Sequence, residues 1–347
     1  FDDERLQGMS VTDFDLILQA YHSMYDSQPI FFFDEIQNVE GWANFARRLA
    51  NQKYRVYITG SNAKMLSRDI ETVLGGRYLD ISVFPYSFSE YLKAVGVLVS
   101  KNWQYGRKAN ELQRHFRTYF DWGGFPELVH FQEKRVWLNS LYNRIFFNDL
   151  VVRHKIKNED ALRLCVRRLA ESVKQPCSLN RLSNLIKATG TPCSPSTVME
   201  YVRYLQESCL LISIDNYVSK FVEKETIKKH YFVDNGLLHL FINNPNTSLL
   251  ENLCTITLYK KYGKGLYYYN RNIEVDFYVP DEGLAVQASY QMSDEETIER
   301  EAKALVTLHG LYPLKRAMII TYEDEGEIVR EGLKIEIKPA WKWVMEG

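Results

Sequence analysis

The sequence has 347 residues, 46% of them hydrophobic and 25% charged, with a formal net charge of −1. That length accommodates one to three domains around a large core, and the near-neutral balance excludes a global field toward nucleic acid or membrane. The longest apolar runs fall short of the ~18 residues of a membrane span, and the five cysteines are scattered without a C-x-x-C pair, so a reduced, cytoplasmic compartment is expected. The chain opens Phe1-Asp2-Asp3-Glu4, acidic where a signal peptide is basic and then apolar. Its first residue is not Met, and N-terminal residues are expected to be missing from it.

From residue 30 an apolar run, Ile30-Phe31-Phe32-Phe33, switches abruptly to Asp34-Glu35. Trp42, Phe45, Ala46 and Leu49 then recur at helical spacing, and Arg55 to Thr59 is a short strand closed by Gly60. Strand, helix and strand in so short a span make a βαβ unit and a parallel sheet. A buried strand of this kind presents its last residues where ligands bind in open α/β sheets. Phosphate transfer needs one carboxylate to hold Mg²⁺ and often a second to polarise the attacking water. Asp34 is the candidate for the first role, through water, and Glu35 for the base; the alternative is a core strand ending in an exposed acidic turn. At the end of the next strand Asn62 is the candidate to touch a γ-phosphate or the water, with Thr59 or Ser61 in reserve, against a plain Gly-Ser-Asn turn. Gly75-Gly76-Arg77 sets an arginine after a flexible hinge, suited to phosphate charge or simply exposed.

Residues 101–150 are expected to be largely helical, interrupted by a turn at Gly123-Gly124-Phe125-Pro126. Leu179 to Ala188 reads as a helix. Ser194-Pro195 then gives a cap and a first-turn proline to a second helix, whose inner stripe is Val198, Tyr201, Val202 and Leu205. Strands over residues 210–218 and 228–234 complete the order of a winged helix. Residues 153–187 hold nine Lys or Arg against three acids, a local net of +6 that could serve phosphates. The outward face of the second helix, Ser196, Thr197, Glu200 and Arg203, is a poor reader of bases, so packing or protein binding is the alternative to DNA.

A boundary is expected near Asn243-Asn244-Pro245-Asn246. Beyond it come a helix carrying Glu251, strands over 266–270, 273–279 and 284–290, a helix from Asp294 with Ser293 and Glu296 spaced as a capping box, and a strand from Arg316 to Thr321. Glu274 and Asp276 share a strand face. An acid on a helix, an Asp on a strand and E-x-K on the next strand are the pattern of PD-(D/E)xK nucleases, whose acids bind Mg²⁺ and whose lysine helps activate water. Here Gln287 and Ser289 stand where Glu and Lys belong. Glu251, Asp276 and Gln287 are the metal candidates. A retained scaffold without catalysis is the alternative, since Gln brings no charge and Ser no cation.

Taken in order, FFFDEIQNVEGW, VYITGSNAKML, GGRYLDISVFPYSFSEYL and FDWGGFPELV resemble the predicted prokaryotic ATPases of the AAA+ superfamily whose C-terminal half is a domain of unknown function. HYFVDNGLLHLF, LLENL and IEVDFYV extend the resemblance through nearly the whole chain. It implies ATP and Mg²⁺ as ligands, Asp34 and Glu35 as the Walker B pair, Asn62 as sensor 1, and Arg77 as part of a Gly-Arg element. The family opens with a phosphate loop, G-x-x-x-x-G-K-[ST], which these residues lack. Gly263-Lys264 is followed by Gly265 and has Leu258 where the first glycine belongs. The loop is expected upstream, removed by truncation rather than lost.

The expected architecture is α/β: a truncated P-loop NTPase (AAA+) core lacking the Walker A segment (residues 1–100), a helical lid (101–158), a winged helix (159–243) and a restriction-endonuclease-like α/β domain (244–347). The expected function is an ATP-dependent switch. In the intact protein, ATP binding or hydrolysis would be coupled to a C-terminal module for DNA, a protein partner or further copies of the chain, with no membrane partner. A Mg²⁺-dependent nuclease and a non-catalytic scaffold are the alternatives.

Overall fold

The computed structural model describes residues 8–36, 39–60, 73–76, 78–99, 103–292 and 294–346. Contacts divide the chain into a smaller unit, Phe1–Val83 with Glu207–Cys209, and a larger one, Phe84–Gln206 with Leu210–Gly347.

In the smaller unit α1 (Asp13–Met24) precedes β1 (Ile30–Phe33), α2 (Trp42–Asn51) and β2 (Arg55–Ile58). The two strands pair in parallel, Ile30 opposite Arg55 and Phe33 opposite Ile58, with α2 as the crossover. The helical stripe Trp42, Phe45, Ala46 and Leu49 is buried together with Phe14, Ile36 and Val39, and Phe31, Phe33, Val56 and Ile58 pack onto this cluster. The opposite face departs from the buried strand expected from the sequence. Ile30 is 50% and Phe32 74% exposed, and Phe32 stacks on the half-exposed Tyr57 with ring centroids 4.9 Å apart. A parallel sheet ordinarily needs cover on both faces; the described residues of this unit cover one.

The larger unit opens with helices. α3 (Phe88–Ala94) starts in a capping box made by Ser87 and Glu90. α4 (Gly106–Trp122) stops at Gly123, where φ is +79°. α5 (Lys134–Arg144) runs on into a π-helical stretch over Ile145–Val152, and α6 (Glu159–Glu171) is capped by Asn158. After the two-residue strand β3 (Cys177–Ser178) come α7 (Leu179–Lys187) and α8 (Pro195–Glu207). Ser194 Oγ accepts the Thr197 N–H at 3.1 Å, the cap expected from Ser-Pro. β4 (Leu211–Asn216) and β5 (Ile227–Phe232) pair antiparallel and are joined through α9 (Phe221–Thr226).

Then follow α10 (Asn235–His239), α11 (Asn246–Tyr262), β6 (Tyr267–Asn270), β7 (Glu274–Val279), β8 (Leu284–Ala288), α12 (Glu295–Leu311), β9 (Arg316–Thr321), β10 (Gly326–Arg330), β11 (Leu333–Pro339) and α13 (Ala340–Glu346). α12 is capped by Asp294, which accepts the Thr297 N–H at 2.7 Å. The cap expected at Ser293 lies outside the described residues. Residues Leu249 through Ile256 of α11 are all buried, so this helix is enclosed on every side rather than amphipathic.

Among the described residues, nine strands form one sheet in the order β10-β11-β9-β8-β7-β6-β4-β5-β3. β8 and β9 are parallel with α12 as their crossover, and β6, β7 and β8 form an antiparallel meander. β4 meets β6 in parallel at Asp215 opposite Tyr267 and Asn216 opposite Tyr268. The strands expected as the wing of a separate winged helix are therefore built into the C-terminal sheet. The second edge of β4 carries backbone donors and acceptors that need partners, and β6 supplies some. No division between compact units falls at Asn243–Asn246; it falls between Val83 and Phe84.

Candidate functional site

At the carboxyl end of β1, Asp34 accepts a hydrogen bond from the Thr59 hydroxyl at the end of β2. The Thr59 N–H donates to the Phe33 carbonyl at 2.8 Å, so the parallel pairing brings the two strand ends side by side. Glu35 has a φ of +52°, in the left-handed region that non-glycine residues rarely adopt. Such strain is typically held where a chain turns to present groups to a ligand. Of the residues read as contacting nucleotide, Asp34, Glu35 and Thr59 thus sit together. Asn62, Ser61 and Arg77 lie outside the described residues.

In the larger unit a second constellation forms from residues far apart in sequence. α11 presents Glu251, and β7 presents Glu274 and Asp276 on one face. Between them lies the ammonium of Lys229, from β5. Its Nζ is 3.1 Å from Glu251 Oε1, 3.0 Å from Glu274 Oε1 and 3.0 Å from Asp276 Oδ1. The Lys229 side chain is fully buried. Burial works against its charge, but Glu251, Tyr231, Asp276 and Glu274 outweigh it and hold the amine protonated well above the usual lysine range. Burial and the adjacent Asp276 push Glu251 up to about 7, against the pull of Lys229 and the Tyr231 hydroxyl. Tyr231 donates to Glu251 Oε1 at 2.7 Å.

Gln287, expected as a metal ligand, faces backbone instead. Its Oε1 accepts the Asp276 N–H at 2.7 Å, and its Nε2 donates to the Glu274 carbonyl at 3.1 Å. Ser289 donates to the Gln291 carbonyl at 3.2 Å. Among the described residues no group of three or more His, Cys, Asp or Glu is arranged to hold a metal ion. The structure brings Glu251 and Asp276 together as the nuclease pattern implies, but around an amine.

A polar clasp adjoins this cluster. Asn252, next to Glu251, accepts the Phe232 N–H at 2.8 Å and donates to the Phe232 carbonyl and to Asn235 Oδ1, each at 3.0 Å. Asn235 donates in turn to the Phe120 carbonyl at 2.9 Å. Asp234 accepts the Gly124 N–H at 2.7 Å and the Gly236 N–H at 2.8 Å. Burial pushes Asp234 up to about 6, against the bonds it accepts from Gly124, Gly236 and Leu237. The turn at Gly123-Gly124 thereby docks on the loop after β5.

Lys229, Tyr231, Asp234 and Asn252 were not singled out in the sequence reading. A lysine usually lies in water, and nothing local marks one that points inward. The available signal was its place two residues before Tyr231 on one face of the strand Ile227–Phe232. Some cations of the basic run over 153–187 are engaged within the fold: Arg153 pairs with Asp149 at 3.0 Å, Arg168 with Glu171 at 2.7 Å, and Arg163 lies 4.0 Å above the Phe146 ring. Among the described residues no helix is long and apolar enough to cross a membrane.

The described residues thus form a smaller α/β unit and a larger α/β unit. Residues 1–92 match the AAA domain family, and residues 113–248 match a domain of unknown function (DUF8612). The chain is 32% identical to the uncharacterized protein MJ1544 of Methanocaldococcus jannaschii, across 99% of this chain and 80% of that protein. It is 29% identical to an uncharacterized protein of Haemophilus influenzae, across 95% of this chain and 81% of that protein. At this identity and coverage, the chain belongs to the same family as MJ1544.

Proposed function

We propose that Asp34 and Glu35 form the Mg²⁺-side half of an ATPase site of the AAA+ type, and that ATP binding or hydrolysis there switches the C-terminal unit. The observation that carries this reading is the junction of β1 and β2: an Asp held by a neighbouring threonine, then a left-handed Glu, at the carboxyl ends of two parallel strands. The AAA domain match over residues 1–92 supports it. On this reading Asp34 holds Mg²⁺ through water, and a Glu35 carboxylate oxygen takes the proton of the attacking water. Asn62 and Arg77 are proposed to contact the γ-phosphate. The larger unit receives the switch and binds a nucleic acid, a protein partner or further copies of the chain.

The reading requires a phosphate grip outside these 347 residues, which contain no phosphate-loop motif. The test is ATP turnover by the full-length protein with Mg²⁺. Glu35→Gln is expected to lower turnover by a factor of about 10² to 10⁴ while ATP remains bound. A full-length protein that binds no nucleotide would overturn the reading.

A further inference from the structure

We propose that Lys229 is a built-in cation standing in the place of a divalent metal, so that Glu251, Glu274 and Asp276 form a closed ionic lock rather than a nuclease centre. An ammonium has three N–H donors. Here three carboxylate oxygens lie 3.0 to 3.1 Å from it, one on α11 and two on β7. Glu251 Oε1 and Asp276 Oδ1 accept hydrogen bonds from it, and Glu274 Oε1 adds a third ion pair.

The acceptor side is engaged as well. Asp276 Oδ2 takes the Ala288 N–H at 3.1 Å, and Glu251 Oε1 is shared with the Tyr231 hydroxyl. The one carbonyl of Gln287 is turned onto the Asp276 N–H. A divalent ion needs oxygens at about 2.0–2.6 Å. At the centre of this cluster it would have to displace the buried Lys229 amine, beside the half-exposed Glu274.

In the sheet order β4 and β6 lie between β5 and β7, and the Lys229 amine lies 5.7 Å from the centre of the Tyr268 ring of β6. Glu301 of α12, tied to Arg300 at 2.6 Å, adds a further carboxylate near Asp276 and Glu274. Carboxylates gathered this closely would repel one another unless a cation sat among them, and the chain carries that cation covalently. By this means the acid cluster needs no metal ion, and strand β5 is fastened to β7 and α11.

The proposal makes opposite demands on the wild type and on a variant that lacks the amine. The wild-type chain and Lys229→Met are titrated with Mn²⁺ and Ca²⁺ by calorimetry and melted with and without each ion. The wild type is expected to bind neither saturably, to keep its Tm and to leave DNA intact in Mg²⁺. Lys229→Met is expected to melt lower and to recover about 5 °C or more at saturating ion. Asp276→Asn in the same background should abolish that recovery.

Saturable Mn²⁺ binding by the wild type that Asp276→Asn removes would refute the lock, as would a folded Lys229→Met indifferent to metal. If Lys229→Met folds only when Mn²⁺ is present, the lock is supported. If it folds in neither condition, the wild-type titration and cleavage assay decide: silence, or binding that Asp276→Asn leaves intact, upholds the lock, and binding or cleavage that Asp276→Asn removes ends it.

Discussion

His230 follows Lys229 on β5 and so projects to the other side of the strand. It is buried, with Nδ1 2.8 Å from the Ser213 hydroxyl, which also receives the Gln206 amide at 2.9 Å. Burial, and then the nearby Lys228, push His230 down to about 4. The unfolded chain takes this proton below about pH 6.5, whereas the folded chain refuses it until about 4. Its contribution to stability is therefore fully present above about 6.5 and is lost as pH falls toward 4, by about 3 kcal/mol. Asp234 and Glu251 act in the opposite sense, because their folded forms hold a proton to about 6 and about 7. Their contribution is present at low pH and is lost as pH rises through those values.

The pH curve of the wild type mixes both signs, so the His230 part must be isolated by difference. Urea unfolding of the wild type and of His230→Gln should show a stability gap that changes by about 3 kcal/mol between pH 7 and pH 4. Parallel curves would exclude His230 as a source. At this scale, what the sequence made legible was chemistry with a local signature: Asp34 at a strand end, Glu274 and Asp276 on one face. What it hid was any side chain whose meaning depends on a distant partner. Lys229 is 22 residues from Glu251 and 47 from Asp276, and its own neighbours give no hint of three carboxylates.

The turn between α4 and α5 was readable as a turn from its glycines and proline, but its docking partner was not. Each glycine there, and Gly236 in α10 opposite it, stands against something specific. A Cβ on Gly123 would lie 1.8 Å from Asp234 Oδ1, one on Gly124 2.2 Å from the Tyr86 carbonyl oxygen, and one on Gly236 2.2 Å from the Trp122 carbonyl oxygen. In the last two cases the obstacle is backbone, which cannot swing aside as a side-chain tip can. Gly310, near the end of α12, has nothing within 4 Å and an ordinary φ. Thermal and urea unfolding should therefore separate two chemically identical substitutions. Gly236→Ala is expected to cost ~3 kcal/mol through overpacking, while Gly310→Ala should gain about 0.5 kcal/mol by restricting the unfolded chain. Equal effects at both positions would show that the clasp is not the tight junction that the geometry describes.

Over the whole chain, hydrophobic pattern revealed most helices and strands but not how far apart in sequence the strands that pair lie. The helix-helix-hairpin order over 159–243 is present, and so is the helix–strand–strand–strand–helix–strand order beyond 244. Each looked self-contained because periodicity is a local property. Only two residue pairs between β4 and β6 join the two sets of strands into one sheet, too short a signal to appear in a sequence pattern. Yet three independent features cross the expected boundary. The sheet continues through it. One core cluster contains Leu211, Tyr231 and Phe232 on one side of it and Leu250, Phe277 and Trp341 on the other. The Lys229 lock takes its cation from one side and all three of its carboxylates from the other.

Cutting there would leave a buried amine without acceptors in one piece and crowded carboxylates without a cation in the other. Breaking a buried pair in this way costs about 3–5 kcal/mol, comparable to much of a domain's stability. Residues 244–347 produced alone are thus expected to lack a cooperative thermal transition and dispersed amide resonances. Residues 84–347 together should melt in one step. A cooperative transition from the 244–347 piece by itself would restore the two-domain division, and with it a lock that is ornamental to folding.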